Sequence, residues 1–158
     1  MTLNRHNFQE SFFSKRYIIA VVLSAVILIL SSCVKKVLEQ KAQDYFETNY
    51  LNSNFVVDLA SDSTTDFTSQ YTGYTFKLLK TTLTNGPATA EKNGNTYSGT
   101  WSVNEDYSKI TINLNQPSVL PEFNFLNRQW RFASKALPLL KLTPWGSSAP
   151  IKLNLRKL

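Results

Sequence analysis

The hydrophobic pattern of the chain changes its period near Leu51. In residues 34–49 apolar side chains recur every three or four positions, which predicts an amphipathic helix. Beyond Leu51 apolar and polar residues alternate in short runs, a pattern typical of strands with one buried and one solvated face. The pattern therefore predicts one N-terminal helix followed by a mainly β domain over residues 51–158.

The clearest strand signals lie between residues 88 and 114. Asn93-Gly94 separates two strand-like runs, as in a tight hairpin, and the polar stretch 104–108 separates the next two. Further strands are predicted at 55–59, 74–79, 123–132, 137–143 and 151–155, with a turn at 84–87. Seven to nine short strands without a crossover helix predict an antiparallel up-and-down meander or barrel of about eight strands.

An apolar run at residues 17–30 directly follows Lys15 and Arg16. A basic segment, a short apolar run and small residues at its end are the features of a secretory signal. As a helix the run would be about 21 Å long, shorter than the roughly 30 Å hydrocarbon core of a bilayer. We therefore expect residues 1–32 to be a removed export signal, with an uncleaved signal anchor as the alternative.

The apolar run ends in Leu30-Ser31-Ser32-Cys33, which resembles the lipobox of bacterial lipoproteins. The resemblance implies that Cys33 becomes the diacylated first residue of the mature protein and that its new amine is acylated. Two or three acyl chains hold a protein stably to a membrane. By the same resemblance, the absence of acidic residues at 34–36 favours a domain that faces the periplasm, and we expect its membrane to be the outer membrane. Residues 33–50 would then be the anchored cysteine and a helix, which either packs on the β domain or lies on the bilayer.

Composition and charge narrow the function further. Cys33 is the only cysteine, and the only histidine, His6, lies in the predicted signal. The mature chain therefore lacks the groups for Ser-His-Asp or Cys-His catalysis and for nearly all zinc sites. We expect no enzyme, no cofactor and no metal, with a hydrolase using two carboxylates as the weakest alternative. The bases are scattered along the sequence, so we expect no nucleic-acid partner.

The stretch from Gly94 to Leu114, GNTYSGTWSVNEDYSKITINL, looks like the central hairpin of small bacterial lipocalin-like lipoproteins. In those domains a Gly-x-Trp-type strand end precedes a polar turn and an alternating apolar strand. Animal lipocalins carry Gly-x-Trp on their first strand, whereas the first predicted strand here has no Trp. The resemblance implies an eight-stranded barrel, whose interior is either filled by side chains or holds one small ligand.

The inward positions of the predicted strands are the candidate ligand-binding residues. They are Phe76, Leu78, Tyr97, Trp101, Ile110, Ile112, Trp130 and Phe132, with Leu153 and Leu155 as further interior positions. Alternation predicts that they are buried but does not distinguish a packed barrel from a hollow one. Two functions therefore stay open. One is a membrane-tethered module that binds a small apolar ligand or lipid, and the other is a non-enzymatic interaction or structural lipoprotein of an envelope complex with a filled core.

Overall fold

The computed structural model describes residues 36–118 and 120–158. The predicted export signal and Cys33 lie outside these described residues. Residues 36–50 are helical and form α1. Residues 42–158 form one compact unit that contains the remaining elements.

Eight antiparallel strands follow α1 and form a closed barrel. Each strand pairs with the next along the chain, and β1 closes the ladder on β8. The strands are β1 (Asn54–Ser61), β2 (Thr75–Leu78), β3 (Asn85–Lys92), β4 (Asn95–Val103), β5 (Lys109–Gln116), β6 (Arg128–Ser134), β7 (Leu139–Pro144) and β8 (Lys152–Lys157). A 3-10 helix (Thr68–Tyr71) precedes β2, and a one-turn helix, α2 (Phe123–Leu126), precedes β6. The predicted mainly β barrel of about eight strands with one N-terminal helix is confirmed.

The predicted turn at residues 84–87 is wrong for residues 85–87, because they are the first residues of β3. Gly86 lies opposite Trp101 in the β3–β4 ladder. A Cβ atom on Gly86 would lie 2.1 Å from the carbonyl oxygen of Leu79 and 3.0 Å from the indole nitrogen of Trp101. Glycine is therefore required at position 86 because the Leu79 backbone and the Trp101 ring pack directly against it. The chain turns just before it, where the Thr82 amide donates to the carbonyl of Asn85 at 2.9 Å.

The predicted strand at residues 123–132 is half wrong, because its first part is α2. Phe123, Phe125 and Leu126 are all buried in the helical turn. A short apolar run fits a buried helical turn as well as a strand, so periodicity did not distinguish them. Asn127 follows α2, and its side-chain amide pairs with both backbone groups of Leu114, at 2.7 and 2.9 Å. The Asn127 side chain thus replaces the backbone of a neighbouring strand beside Leu114 of β5, just before β6 begins at Arg128.

Aromatic side chains close both ends of the barrel. At the helix end, where residues 42–50 of α1 lie, Phe46 is buried against the rings of Trp101, Tyr107 and Phe132 at 5.2–6.3 Å. At the opposite end, called here the α2 end, the ring of Phe123 packs on those of Tyr74 and Tyr97, with 5.4 Å between ring centroids in both pairs. This part of α1 therefore packs on the barrel, in line with the first interpretation of the helix.

The closed ladder and its hydrophobic core lie wholly within residues 42–158. A closed sheet has no free edge, and a compact unit with its own core has what a domain needs to fold alone. Residues 36–158 are thus a sound choice for experiments in solution.

Candidate functional site

The barrel interior brings together six of the ten interior positions predicted from the sequence, four of them candidate ligand-binding residues. Phe76, Leu78, Ile110, Ile112, Leu153 and Leu155 line a shared apolar cavity between the two aromatic ends. The cavity volume is about 30 Å³, whereas small-molecule pockets are typically roughly 300–1,000 Å³. One water needs roughly 10–15 Å³ of such space and several polar partners, which this lining lacks. The barrel is therefore filled by its own side chains.

The other four candidates belong to the aromatic ends instead of the shared cavity. Trp101 and Phe132 surround Phe46 at the helix end. Tyr97 packs on Phe123 at the α2 end. Trp130 is completely buried, and its indole N–H donates to the Leu126 carbonyl at 3.0 Å. These rings close the barrel and contribute to its core.

An open cleft with a volume of about 670 Å³ lies at the α2 end. Its walls come from the segment after β1, the 3-10 helix, the region of α2 and the residue before β8. The lining residues are Asp62, Phe67, Gln70, Pro121, Glu122, Asn124, Phe125, Arg128 and Ile151. The volume lies within the usual range for a small-molecule site. Five of the nine lining residues are polar or charged, a larger share than the predominantly apolar lining of most such sites.

Among the described residues, Arg128 is the one cation that lines this cleft. The central carbon of its guanidinium lies 4.9 Å from the centroid of the Phe125 ring and 5.3 Å from that of Trp130, so cation–π attraction holds the group in place. Its Nε is buried without a hydrogen-bond partner in the described part of the chain. Burial lowers the pKa of Arg128, partly offset by Tyr71 and Asp62, but an arginine remains protonated in proteins.

The two carboxylates of the cleft are held by donors from the protein. Asp62 accepts the backbone N–H groups of Thr64 and Thr65 at 3.0 and 2.9 Å, and these hydrogen bonds lower the pKa of Asp62. Glu122 accepts the hydroxyl of Tyr74 at 3.0 Å. Burial, followed by the contact with Glu122, raises the pKa of Tyr74 to about 12, so the hydroxyl stays protonated and donates. Among the ion pairs of described residues, none includes Arg128. The cleft thus combines two acids that accept hydrogen bonds from the protein with one cation that is attracted by Asp62 but forms no direct ion pair with an acid of the described residues.

Sequence reasoning missed Arg128, although a signal was present. Arg128, Trp130 and Phe132 are spaced by two, so a single strand over them directs all three toward the same face. An arginine in register with buried aromatic residues is uncommon, because a charged side chain is costly to bury. The register of Arg128 therefore indicated a charged side chain directed toward the interior face at the start of β6.

Within the described residues, no cluster of three or more His, Cys, Asp or Glu is arranged to hold a metal ion. The described helices include none with the length and apolar character needed to cross a bilayer. Fold and site together define a closed, side-chain-filled, up-and-down β-barrel with a polar-lined cleft at one end. Comparisons with protein-family models, with curated proteins and with solved structures give no match.

Proposed function

We propose that this protein is a lipid-anchored lipoprotein of the bacterial envelope with a lipocalin-like barrel that acts as a non-enzymatic binding module. The anchor is the lipid on Cys33. Two sequence features support it, the apolar run 17–30 and the lipobox-like Leu30-Ser31-Ser32-Cys33. The proposed location is the periplasmic face of the outer membrane. The ligand site is the cleft at the α2 end.

The observation that carries the binding role is Arg128, whose buried Nε has no hydrogen-bond partner and whose guanidinium forms no direct ion pair among the described residues, in a cleft of about 670 Å³. A carboxylate or phosphate oxygen is the natural partner for a guanidinium. Asp62 and Glu122 favour a ligand that also carries hydroxyl or amine groups, and Phe67 and Phe125 offer apolar contact. The ligand is therefore a small amphipathic molecule with an oxyanion, and it binds at the end of the barrel and not inside it.

The filled interior favours a second function. A cavity of about 30 Å³ is too small for the apolar ligand that a hollow barrel would carry. The same packing fits a non-enzymatic interaction or structural lipoprotein of an envelope complex, which would use its outer surface. The two functions are separated by whether the cleft retains a small molecule.

Native mass spectrometry of residues 36–158, purified from a bacterial extract, tests the cleft. We expect a retained mass that denaturation releases as an acidic amphipathic compound. Arg128→Met keeps the apolar contacts but removes the charge. Since hydrogen bonds to charged groups contribute about 1.5–3 kcal/mol, this change should weaken binding of that compound roughly 10- to 150-fold.

Arg131→Met is the matched control, because Arg131 lies on the same strand but is exposed. It should leave binding unchanged, and thermal melts verify that both variants fold. A bare protein mass for the unmodified chain, or equal retention by the Arg128→Met variant, would rule out the cleft as the ligand site.

The anchor is tested separately in the full chain. Mass spectrometry of the N-terminal peptide of the mature protein should show a sequence that begins at acylated Cys33. Cys33→Ala should abolish both the acyl mass and membrane retention. An unmodified Cys33 in a membrane-bound chain that keeps residues 1–32 would support the signal anchor instead.

A further inference from the structure

The barrel gathers bases that are scattered in the sequence. Strands β5 to β8 are consecutive in the closed sheet and together contain no Asp or Glu. Their bases are Lys109, Arg128, Arg131, Lys141, Lys152, Arg156 and Lys157. Half of the barrel wall therefore carries positive charge only.

Five of these bases lie on the outer surface of the sheet. Successive side chains of a strand point to opposite faces, and the immediate neighbours of these five are buried core residues such as Ile110, Trp130 and Leu140. Together they form a surface that we call the basic face: Lys109, Arg131, Lys141, Lys152 and Arg156. All except the half-buried Lys109 are exposed.

The basic face is scarcely neutralised by the described part of the protein. Lys109 and Arg131 are direct cross-strand partners, although like charges opposite each other destabilise a sheet. Arg156 pairs with Asp58 at 3.3 Å, but the ion pairs of the described residues include no other member of the face. The pairing of Lys109 with Arg131 costs the barrel stability. An anionic partner outside the barrel would compensate this cost by neutralising both charges.

An exposed tryptophan borders the same face. Trp145 follows β7 and is 39% exposed, and its ring lies 5.5 Å from the Nζ atom of Lys109. Its backbone N–H donates to the Gln129 carbonyl at 2.9 Å, which fixes it beside β6. Tryptophan is enriched at the boundary between lipid headgroups and water, and Lys and Arg are attracted to anionic lipid.

We propose that the basic face, with Trp145 at its border, docks on the surface of a bilayer that contains acidic phospholipids. This surface is separate from the cleft, and its binding requires neither the cleft nor the lipid on Cys33. The proposed function supplies only the setting, since a chain anchored through Cys33 would hold the barrel beside a membrane.

The test uses residues 36–158 and vesicles of phosphatidylglycerol with phosphatidylethanolamine, compared with phosphatidylcholine vesicles. We expect co-sedimentation with the acidic vesicles alone, and weaker binding at higher salt. Each base near an anionic surface contributes about fivefold to the partition coefficient, so Arg131→Gln, Lys141→Gln and Lys152→Gln combined should lower it roughly 100-fold.

Lys77→Gln, Lys80→Gln and Lys92→Gln combined make the matched control, because they remove the same charge from β2, the segment that follows it and β3. This control should bind almost as well as the unmodified chain, and thermal melts verify that both triple variants fold. An equal loss of binding in the two triple variants would overturn the proposal that the basic face is the surface that binds the vesicles. Binding to duplex DNA or an acidic polysaccharide, but to no vesicle, would overturn the membrane as its partner.

Tryptophan fluorescence gives an independent readout. Trp101 and Trp130 are only 1% and 0% exposed, so a blue shift on addition of acidic vesicles reports on Trp145. We expect the shift in the unmodified chain and its loss in Trp145→Phe. Sedimentation with vesicles without any such shift would overturn the contact of Trp145 with the bilayer. Residues 36–158 lack Cys33, and these variants leave Arg128 in place. A lack of vesicle binding would therefore say nothing against the lipid anchor on Cys33 or against ligand binding in the cleft.

Discussion

Asn127 provides the sharpest test of how the barrel is completed where α2 interrupts the ladder. Its side-chain oxygen accepts the N–H of Leu114 at 2.7 Å, and its side-chain nitrogen donates to the Leu114 carbonyl at 2.9 Å. Leu114 is 1% exposed, so water does not readily replace these bonds. Asn127→Ala therefore leaves one donor and one acceptor buried without a partner.

The size of the effect follows from those two backbone groups. A buried polar group left without a hydrogen bond costs about 1–3 kcal/mol, so for two such groups we expect a loss of roughly 2–6 kcal/mol in the free energy of unfolding. Asn127 has φ of −73° and ψ of 76°, the inverse γ-turn conformation, which is a common local minimum and does not require asparagine. The loss therefore comes from the hydrogen bonds and not from the backbone conformation.

Urea unfolding of residues 36–158, followed by tryptophan fluorescence, measures this loss. With m near 1.5 kcal/mol per molar urea, the midpoint should fall by roughly 1–4 M. Asn124→Ala is the control, since Asn124 is exposed in the same short helix and its replacement should change stability by no more than about 0.5 kcal/mol. A loss below about 1 kcal/mol for Asn127→Ala would refute the view that this side chain replaces a strand partner.

Two further predictions concern packing and pH. Gly99→Ala should destabilise the barrel more than Gly94→Ala in thermal melts. A Cβ atom at Gly99 would lie 1.8 Å from the Asn113 backbone oxygen, whereas at Gly94 it would meet nothing within 4 Å and the cost is only that of the positive φ of 79°, about 1–2 kcal/mol. Equal melting temperatures would contradict the close approach at Gly99. Burial raises the pKa values of Tyr50 and Tyr71, so their stabilising contribution is complete below pH of about 10 and is lost as the pH rises above it. Urea midpoints that stay constant up to about pH 11 would contradict this.

The strand pattern was predictable wherever the sequence alternates between two clearly different faces. Asn93-Gly94 forms the expected tight turn, with positive φ at both residues, and the alternation of Ile110, Ile112 and Leu114 correctly gave the inner face of β5. The pattern failed at Gly86, because a glycine required for contact with Trp101 has the same sequence signal as a turn glycine. It also failed at α2, where a short apolar run is buried in either conformation.

The functional surfaces were less predictable, because they depend on the volume of side chains and on closure of the sheet. Alternation identified inward positions, but only the packing of Phe46 and Phe123 into opposite ends shows that the interior is filled. Likewise, the bases of the basic face are separated by up to 47 positions in sequence, and they become neighbours only when β5 to β8 lie side by side.

The two ends of the barrel differ in a way that bears on function. Residues 42–50 cover the helix end, where the hydroxyls of Tyr45 and Tyr50 both donate to the Lys135 carbonyl, at 2.8 and 2.6 Å. The α2 end is built from loops and short helices, and loops tolerate changes of sequence more readily than strands. A ligand site at the α2 end can therefore change its specificity while the filled core and the packed helix keep the barrel stable. Under the proposed function, this division would let a barrel without interior space act as a binding module.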